Sequence, residues 1–294
     1  MMPPYVEPLF RPPSEAHSLI FQITIGCSQN RCTFCGMYQG RSFRLKPLEE
    51  VLGEIAAIPE RYRSSVERVF LADGDALVYP AGGLITILDA LASTFSRLTR
   101  VGSYASPNSL TTKSPEELEL LRKKRLRILY FGLESGDDDT LRAVNKGFDA
   151  KEMADLALKA RRAGMKLSVT AILGLAGRER SLEHARATAE WVSRVSPEYF
   201  SLLTLFLRHN NAYVRSLNQC THRELLREAR ELVTNLHPSR TIIRSNHVSN
   251  FLHLAGTYPK DRLRLIADVD AALAHAERLP GFLDAVPDNG EEYY

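Results

Sequence analysis

Short apolar runs separated by stretches of helical period recur along most of this chain, and that alternation limits its fold more tightly than any other feature. Strands are expected over Leu19–Ile25, Arg68–Ala72, Leu98–Ala105, Arg127–Leu133, Lys166–Leu173 and Glu198–Leu205. Helices are expected over Leu48–Ile58, Gly83–Thr94, Pro115–Lys124, Lys151–Ala163 and Leu182–Val195. In the last of these Leu182, Ala185, Ala189 and Val192 share one stripe, the pattern of a helix packed on a sheet. Six β-α units in succession predict an α/β fold, a partial (β/α)6 barrel of the TIM type. Reactive groups in such folds gather at the carboxyl ends of the strands.

That rule places four motifs on one rim. A cysteine-rich loop follows the first strand, Asp73-Gly74-Asp75 the second, Glu134-Ser135-Gly136 the fourth, and Gly174 the fifth. Outside the repeat, residues 1–18 read as a proline-rich arm and 207–294 as a carboxyl-terminal segment beyond a 19–206 core. The segment carries helical patterns at Arg223–Leu236 and Asp261–His275 and an acidic tail from Asp284 that reads as frayed.

Of 294 residues 44% are hydrophobic, enough to bury a full core. Basic residues number 38 against 35 acidic, a net of +3 too close to balance to demand a nucleic-acid partner. The densest basic run, Arg122 to Arg127, falls where a helix ends before a strand; cations there suit the helix dipole, and an RNA patch is the alternative. No apolar run is long enough to span a membrane, and the proline-rich amino terminus has no apolar core of a signal peptide. With four cysteines, three of them clustered, no disulfide framework is available, and a reducing cytoplasm is expected.

The clustered thiols are Cys27, Cys32 and Cys35, in Gly26-Cys27-Ser28-Gln29-Asn30-Arg31-Cys32-Thr33-Phe34-Cys35-Gly36. Three thiolates on one short loop can hold three irons of a [4Fe–4S] cluster and leave the fourth open to another ligand. A structural zinc site of three cysteines and a histidine is the alternative, but no second Cys or His pair at ligand spacing follows.

This loop resembles that of the radical S-adenosylmethionine (radical SAM) superfamily, normally Cys-x3-Cys-x2-Cys with an aromatic residue before the last cysteine. Phe34 fills the aromatic position, and the first gap here is four residues, Ser28 to Arg31. Phe131-Gly132-Leu133-Glu134-Ser135-Gly136, followed by Asn145-Lys146-Gly147, is similar to the branch containing methylthiotransferases and oxygen-independent coproporphyrinogen oxidase. The resemblance implies a [4Fe–4S] cluster and S-adenosylmethionine as cofactors. It implies that Asp73 or Asp75, with Gly74, receives the methionine ammonium, that Glu134 hydrogen-bonds the cofactor, and that Lys146 pairs with its carboxylate. Thr170 falls where relatives bind ribose, Gly174 ends the strand flanking adenine, Ser106 is a further hydroxyl candidate, and Phe34 and Tyr38 may be read as adenine-stacking rings or as a shield of the cluster.

The implied chemistry is reductive cleavage of S-adenosylmethionine, with a low-potential donor such as flavodoxin or ferredoxin, and hydrogen abstraction by a 5′-deoxyadenosyl radical. After the loop only Cys220 remains, too few for the auxiliary cluster of a methylthiotransferase; it could return a hydrogen atom to a product radical or be a small core residue. With the first strand near residue 19, no preceding cobalamin domain is expected. Arg208 and His209, and Arg244, Asn246, His247 and Asn250, are candidate contacts for a small-molecule substrate. A nucleic-acid substrate is the second reading, and a metal-stabilised binding or electron-transfer protein the third.

Overall fold

The structure is a computed structural model that describes residues 5–38, 40–206 and 212–287. Eight strands, β1 (Leu19–Gln22), β2 (Arg68–Ala72), β3 (Arg100–Ala105), β4 (Leu126–Glu134), β5 (Lys166–Leu173), β6 (Tyr199–Thr204), β7 (Thr241–Arg244) and β8 (Ala255–Tyr258), follow one another in a sheet in chain order. The β1–β2, β2–β3, β3–β4, β5–β6 and β6–β7 pairs are parallel, and β8 runs antiparallel to β7. Helices α1 (Leu48–Ala56), α2 (Ala81–Thr94), α3 (Pro115–Lys123), α4 (Asp138–Ala143), α5 (Ala150–Arg162), α6 (Ser181–Val195), α7 (His222–Asn235) and α8 (Arg262–Ala276) lie between or after the strands. The expected β-α order is therefore present, as an open series of strands rather than a closed barrel.

The chain forms two compact units, one of Met1–Asn30, Met37–Phe131 and Asp155–Leu167, the other of Arg31–Gly36, Gly132–Ala154 and Ser168–Tyr294. In the first, β2 and β3 are buried along nearly their whole length, as strands covered on both faces must be. Phe70, Tyr104 and Tyr130 meet edge to face between them. The fully buried Glu15 of the proline-rich arm enters this core, pairing with Arg100 at 2.9 Å and accepting from the Tyr130 hydroxyl at 2.5 Å. A Cβ at Gly102 would lie 3.1 Å from that carboxylate, a tight fit from which the Glu15 side chain would have to shift by a few tenths of an ångström. The basic run sits at the end of α3, where Lys124 pairs with Asp89 at 2.6 Å.

The expected first strand is split. β1 stops at Gln22, and Thr24–Ile25 leave to pair antiparallel with Arg44–Leu45. That small ribbon closes the neck of the loop bearing Cys27, which explains why an unbroken apolar run serves two sheets.

In the second unit the sheet continues past β6 into β7 and β8, which the sequence reading did not anticipate. Each is four residues long, and both are held by pairing partners: Ser201 opposite Arg244, and Thr241 opposite Tyr258. The amphipathic α7 buries Leu225, Leu226, Ala229, Leu232 and Val233, with Glu228 among them. Among the described residues no helix is long and apolar enough to cross a membrane.

Candidate functional site

The first unit carries Cys27 and the acidic turn after β2. Asn30 N–H donates to the Cys27 carbonyl at 3.3 Å, and the Asn30 side chain donates to the carbonyls of Tyr38 and Arg41. The extra residue of the first cysteine gap thus lies in a stapled turn. Gly74 passes directly beneath Cys27: a Cβ there would lie 2.7 Å from Cys27 Cβ and 2.7 Å from the Tyr38 ring, so any side chain would displace the loop.

The two aspartates flanking Gly74 differ in what they have left to give. Asp75 is fully buried and committed, accepting from Ser28 Oγ at 2.5 Å and from Ser106 N and Oγ at 3.0 and 2.6 Å. Ser106 in turn closes a capping box with Ser109. Asp73 accepts from Gly26 N at 2.8 Å and Gln22 Nε2 at 3.2 Å through Oδ2, while Oδ1 is buried without a hydrogen-bond partner. The buried Tyr38 hydroxyl lies beside it, near enough to bear on the Asp73 carboxyl but without a well-formed hydrogen bond. Burial raises the pKa of both carboxyls, opposed by their hydrogen bonds, and burial with the Asp73 charge raises that of the Tyr38 phenol.

The second unit carries Cys32 and Cys35, joined by a turn in which Cys35 N–H donates to the Cys32 carbonyl at 3.2 Å. This turn docks on the end of α4. Thr33 N–H donates to the Val144 carbonyl at 3.0 Å, and the Asn145 side chain donates to the Arg31 carbonyl at 3.1 Å. The helix-end carbonyls that would otherwise lack partners are satisfied by the cysteine turn itself. Asn145 is held at φ 53°, a left-handed conformation that asparagine tolerates, and this turns Lys146 back toward the loop. Phe34 packs on the apolar cluster of Val144, Ile172, Leu175, Leu205 and Val214, anchoring the loop.

Lys146 Nζ lies 3.1 Å from Glu134 Oε1, and both groups bear on Cys32. Burial raises the Cys32 pKa, Lys146 lowers it and Glu134 raises it. Glu134 ends β4 with φ 65°, an uncommon conformation for a residue with a side chain. It folds back over Gly132, where a Cβ would lie 2.2 Å from Glu134 Oε1.

The remaining candidates are distributed more widely. Thr170 lies on β5 opposite Ser201. Gly174, at φ 79°, directs its N–H to Glu228 Oε1 at 3.0 Å. Cys220 is buried, and burial with the Glu228 and Glu224 charges pushes its thiol up to about 12. Asn250 is committed to Thr204 Oγ1 and to the carbonyls of Leu202 and Ser245. Arg244 and Asn246 are exposed; His247 is half-buried, with Nδ1 2.9 Å from Ser249 Oγ, and burial lowers its pKa. Arg208 and His209 lie outside the described residues. Sequence reading passed over Glu228 and His184, because a polar residue on an amphipathic helix gives no local sign of burial.

No group of three His, Cys, Asp or Glu side chains among the described residues is arranged to hold a metal ion. The donor chemistry nevertheless suits an iron–sulfur cluster: three thiols, none in a disulfide and each partly exposed, carried on a loop fixed at both ends. The orphaned Asp73 oxygen suits a cationic donor.

The model of the radical SAM superfamily matches residues 21–192. A protein of Methanocaldococcus jannaschii named as a candidate methylthiotransferase is 25% identical over 152 residues, covering 49% of this chain and 32% of its own. The chain thus spans about a third of that relative's length. Coproporphyrinogen III oxidase of Escherichia coli has a similar fold, with TM-score 0.56 and 16% identity, covering 71% of this chain and 49% of that one. Methylornithine synthase gives 0.52 at 12% identity, covering 85% and 68%, and the cobalamin-binding methyltransferase TsrM of Kitasatospora setae 0.51 at 18%, covering 63% and 36%. At these identities the likeness is one of fold.

Proposed function

The chain belongs to the radical SAM superfamily, and from that premise we propose that Cys27, Cys32 and Cys35 ligate its cluster while Asp73, Glu134 and Lys146 hold S-adenosylmethionine. It is an enzyme whose cofactors are a [4Fe–4S] cluster and S-adenosylmethionine. When bound and reduced, these supply an electron that cleaves the sulfonium to methionine and a 5′-deoxyadenosyl radical, which abstracts hydrogen from substrate.

The observation that carries the residue assignment is the Glu134–Lys146 pair beside Cys32, held over Gly132 and offering both a carboxylate and a cation to a zwitterionic ligand. Lys146 would take the cofactor's carboxylate and Glu134 a hydrogen-bond donor. Of the two aspartates, Asp73 is assigned the ammonium, because its Oδ1, beside the Tyr38 hydroxyl, makes no well-formed hydrogen bond, whereas both oxygens of Asp75 do. Asp75 instead ties Ser28 of the loop to Ser106.

The substrate is assigned as a small molecule, since 38 basic against 35 acidic residues make no strong field for a polyanion. A flavodoxin or ferredoxin is the assigned electron donor, and the carboxyl-terminal segment, with His247 and Arg244, the assigned substrate contact. The test is anaerobic reconstitution with iron and sulfide, reduction by dithionite, and product analysis with S-adenosylmethionine. Formation of 5′-deoxyadenosine and a change in the reduced cluster's electron paramagnetic resonance on adding cofactor are expected. A colourless zinc protein, or an unchanged spectrum, overturns the assignment.

A further inference from the structure

Glu228 is the one acidic side chain on the buried face of α7, and it sits in a group of buried polar side chains wholly inside the second unit. Its Oε1 accepts Gly174 N–H at 3.0 Å, and its Oε2 accepts Ser181 Oγ at 2.5 Å. His184 Nε2 lies 3.4 Å from Oε1, in contact but without a hydrogen bond, and His184 Nδ1 lies 2.8 Å from Ser135 Oγ. Ser135 Oγ also accepts Asp137 N–H at 2.9 Å. Both Glu228 and His184 are 0% exposed. Two packed side chains therefore each reach one backbone turn: His184, through Ser135, reaches the one directly after Glu134, and Glu228 the one at Gly174. Between them Gly136 is pressed onto α6, where a Cβ would lie 2.4 Å from the Ala187 carbonyl oxygen.

An apolar residue would fill the same space in α7 without the cost of burying a carboxyl. We propose that Glu228 and His184 are positioning residues that hold the turns after β4 and β5, and with them Glu134, in the geometry that binds the cofactor. The proposal rests on the assignment of Glu134 to S-adenosylmethionine. It makes α7, a helix of the carboxyl-terminal segment, part of the cofactor site's frame. Burial pushes Glu228 up to about 8 and His184 down to about 4, disfavouring the charged form of each. The titratable groups acting with this pair are Cys220, which feels the Glu228 charge, and Asp137, which acts on His184.

The test compares reconstituted wild type with Glu228→Gln, Glu228→Leu and Ser135→Ala, measuring iron per chain, S-adenosylmethionine affinity by equilibrium dialysis, and exchange of the Gly174 amide. Glu228→Leu is expected to weaken cofactor binding about tenfold with iron unchanged, and glutamine, which keeps an acceptor for Gly174, to restore it to within about threefold. Ser135→Ala, which deletes only a hydroxyl, should weaken binding about threefold and serves if the leucine variant does not fold. Wild-type affinity in the leucine and alanine variants, or a loss that merely tracks lost iron, overturns the proposal. If wild type itself binds no S-adenosylmethionine, the functional assignment fails instead. Faster exchange of Gly174 in Glu228→Leu, reversed in Glu228→Gln, then still supports the positioning role, and unchanged exchange refutes it.

Discussion

Gly132 and Glu134 are coupled by contact: the glutamate carboxylate occupies the space that any side chain at position 132 would need, 2.2 Å from where its Cβ would stand. Gly132→Ala should therefore swing Glu134 off Lys146 and reproduce Glu134→Ala. Both variants are expected to keep iron and to weaken S-adenosylmethionine binding about tenfold, because each removes the carboxylate assigned to a hydrogen-bond donor of the cofactor. Equilibrium dialysis on reconstituted protein reads this out. An alanine at 132 with wild-type affinity refutes the coupling.

The two aspartates should separate by readout. Asp75→Ala deletes the acceptor of three hydrogen bonds from Ser28 and Ser106 and should cost about 2–4 kcal/mol of stability, visible as a lower melting temperature. Asp73→Asn keeps an acceptor for Gly26 and should melt near wild type while binding cofactor more weakly. The reverse pattern removes the assignment of the ammonium to Asp73.

Replacing Cys27, Cys32 or Cys35 by Ser should each abolish stable iron binding, since two protein ligands rarely retain a cluster. Cys220→Ser should not. With its thiol pushed up to about 12 by burial, Cys220 should also resist iodoacetamide at pH 8 in the folded protein and react on unfolding. Mass spectrometry of labelled peptides decides this.

The Glu228–His184 pair sets a pH window for stability. Glu228 rises from 4.5 to about 8 on folding, so its contribution is full below 4.5 and is lost as pH climbs through 8. His184 falls from 6.5 to about 4, so its contribution is full above 6.5 and is lost as pH drops through 4. Between 4.5 and 6.5 the two changes oppose; between 6.5 and 8 only Glu228 changes, and unfolding free energy should fall by about 1–2 kcal/mol. Denaturant titrations across that range measure it. Glu228→Gln should flatten the fall, and an equal fall in that variant shows another group at work.

His247→Ala is expected to lower substrate-dependent turnover more than substrate-free cleavage of S-adenosylmethionine. His247 lies edge-on to Phe206, with ring centroids 5.9 Å apart, just beyond the end of β6. Equal loss of both activities removes it from the substrate site.

Much of this molecule is written locally. Strand and helix periods, the Ser114–Glu117 cap of α3 and the three-thiol loop are patterns within a few residues of one another, so the order of β-α units and the cysteine motif are legible in the sequence. Glu134 and Lys146 are each legible as cofactor candidates from their motifs, but their pairing at 3.1 Å is not, because they lie twelve residues apart with α4 between them. What only tertiary structure decided is which of these groups are already spent. Asp73 and Asp75 are chemically identical neighbours of Gly74, yet Ser106, arriving from β3, saturates one and leaves the other with an open oxygen. Phe34 could stack on a ligand or anchor its loop, and only the tertiary structure shows it half-buried against the cluster around Val144. Glu228 reads as an ordinary helical glutamate until α7 lies against α6 and carries it to Gly174. Hydrogen-bond capacity belongs to a residue, but its consumption depends on partners brought from distant parts of the chain, and no local pattern records which partners arrive.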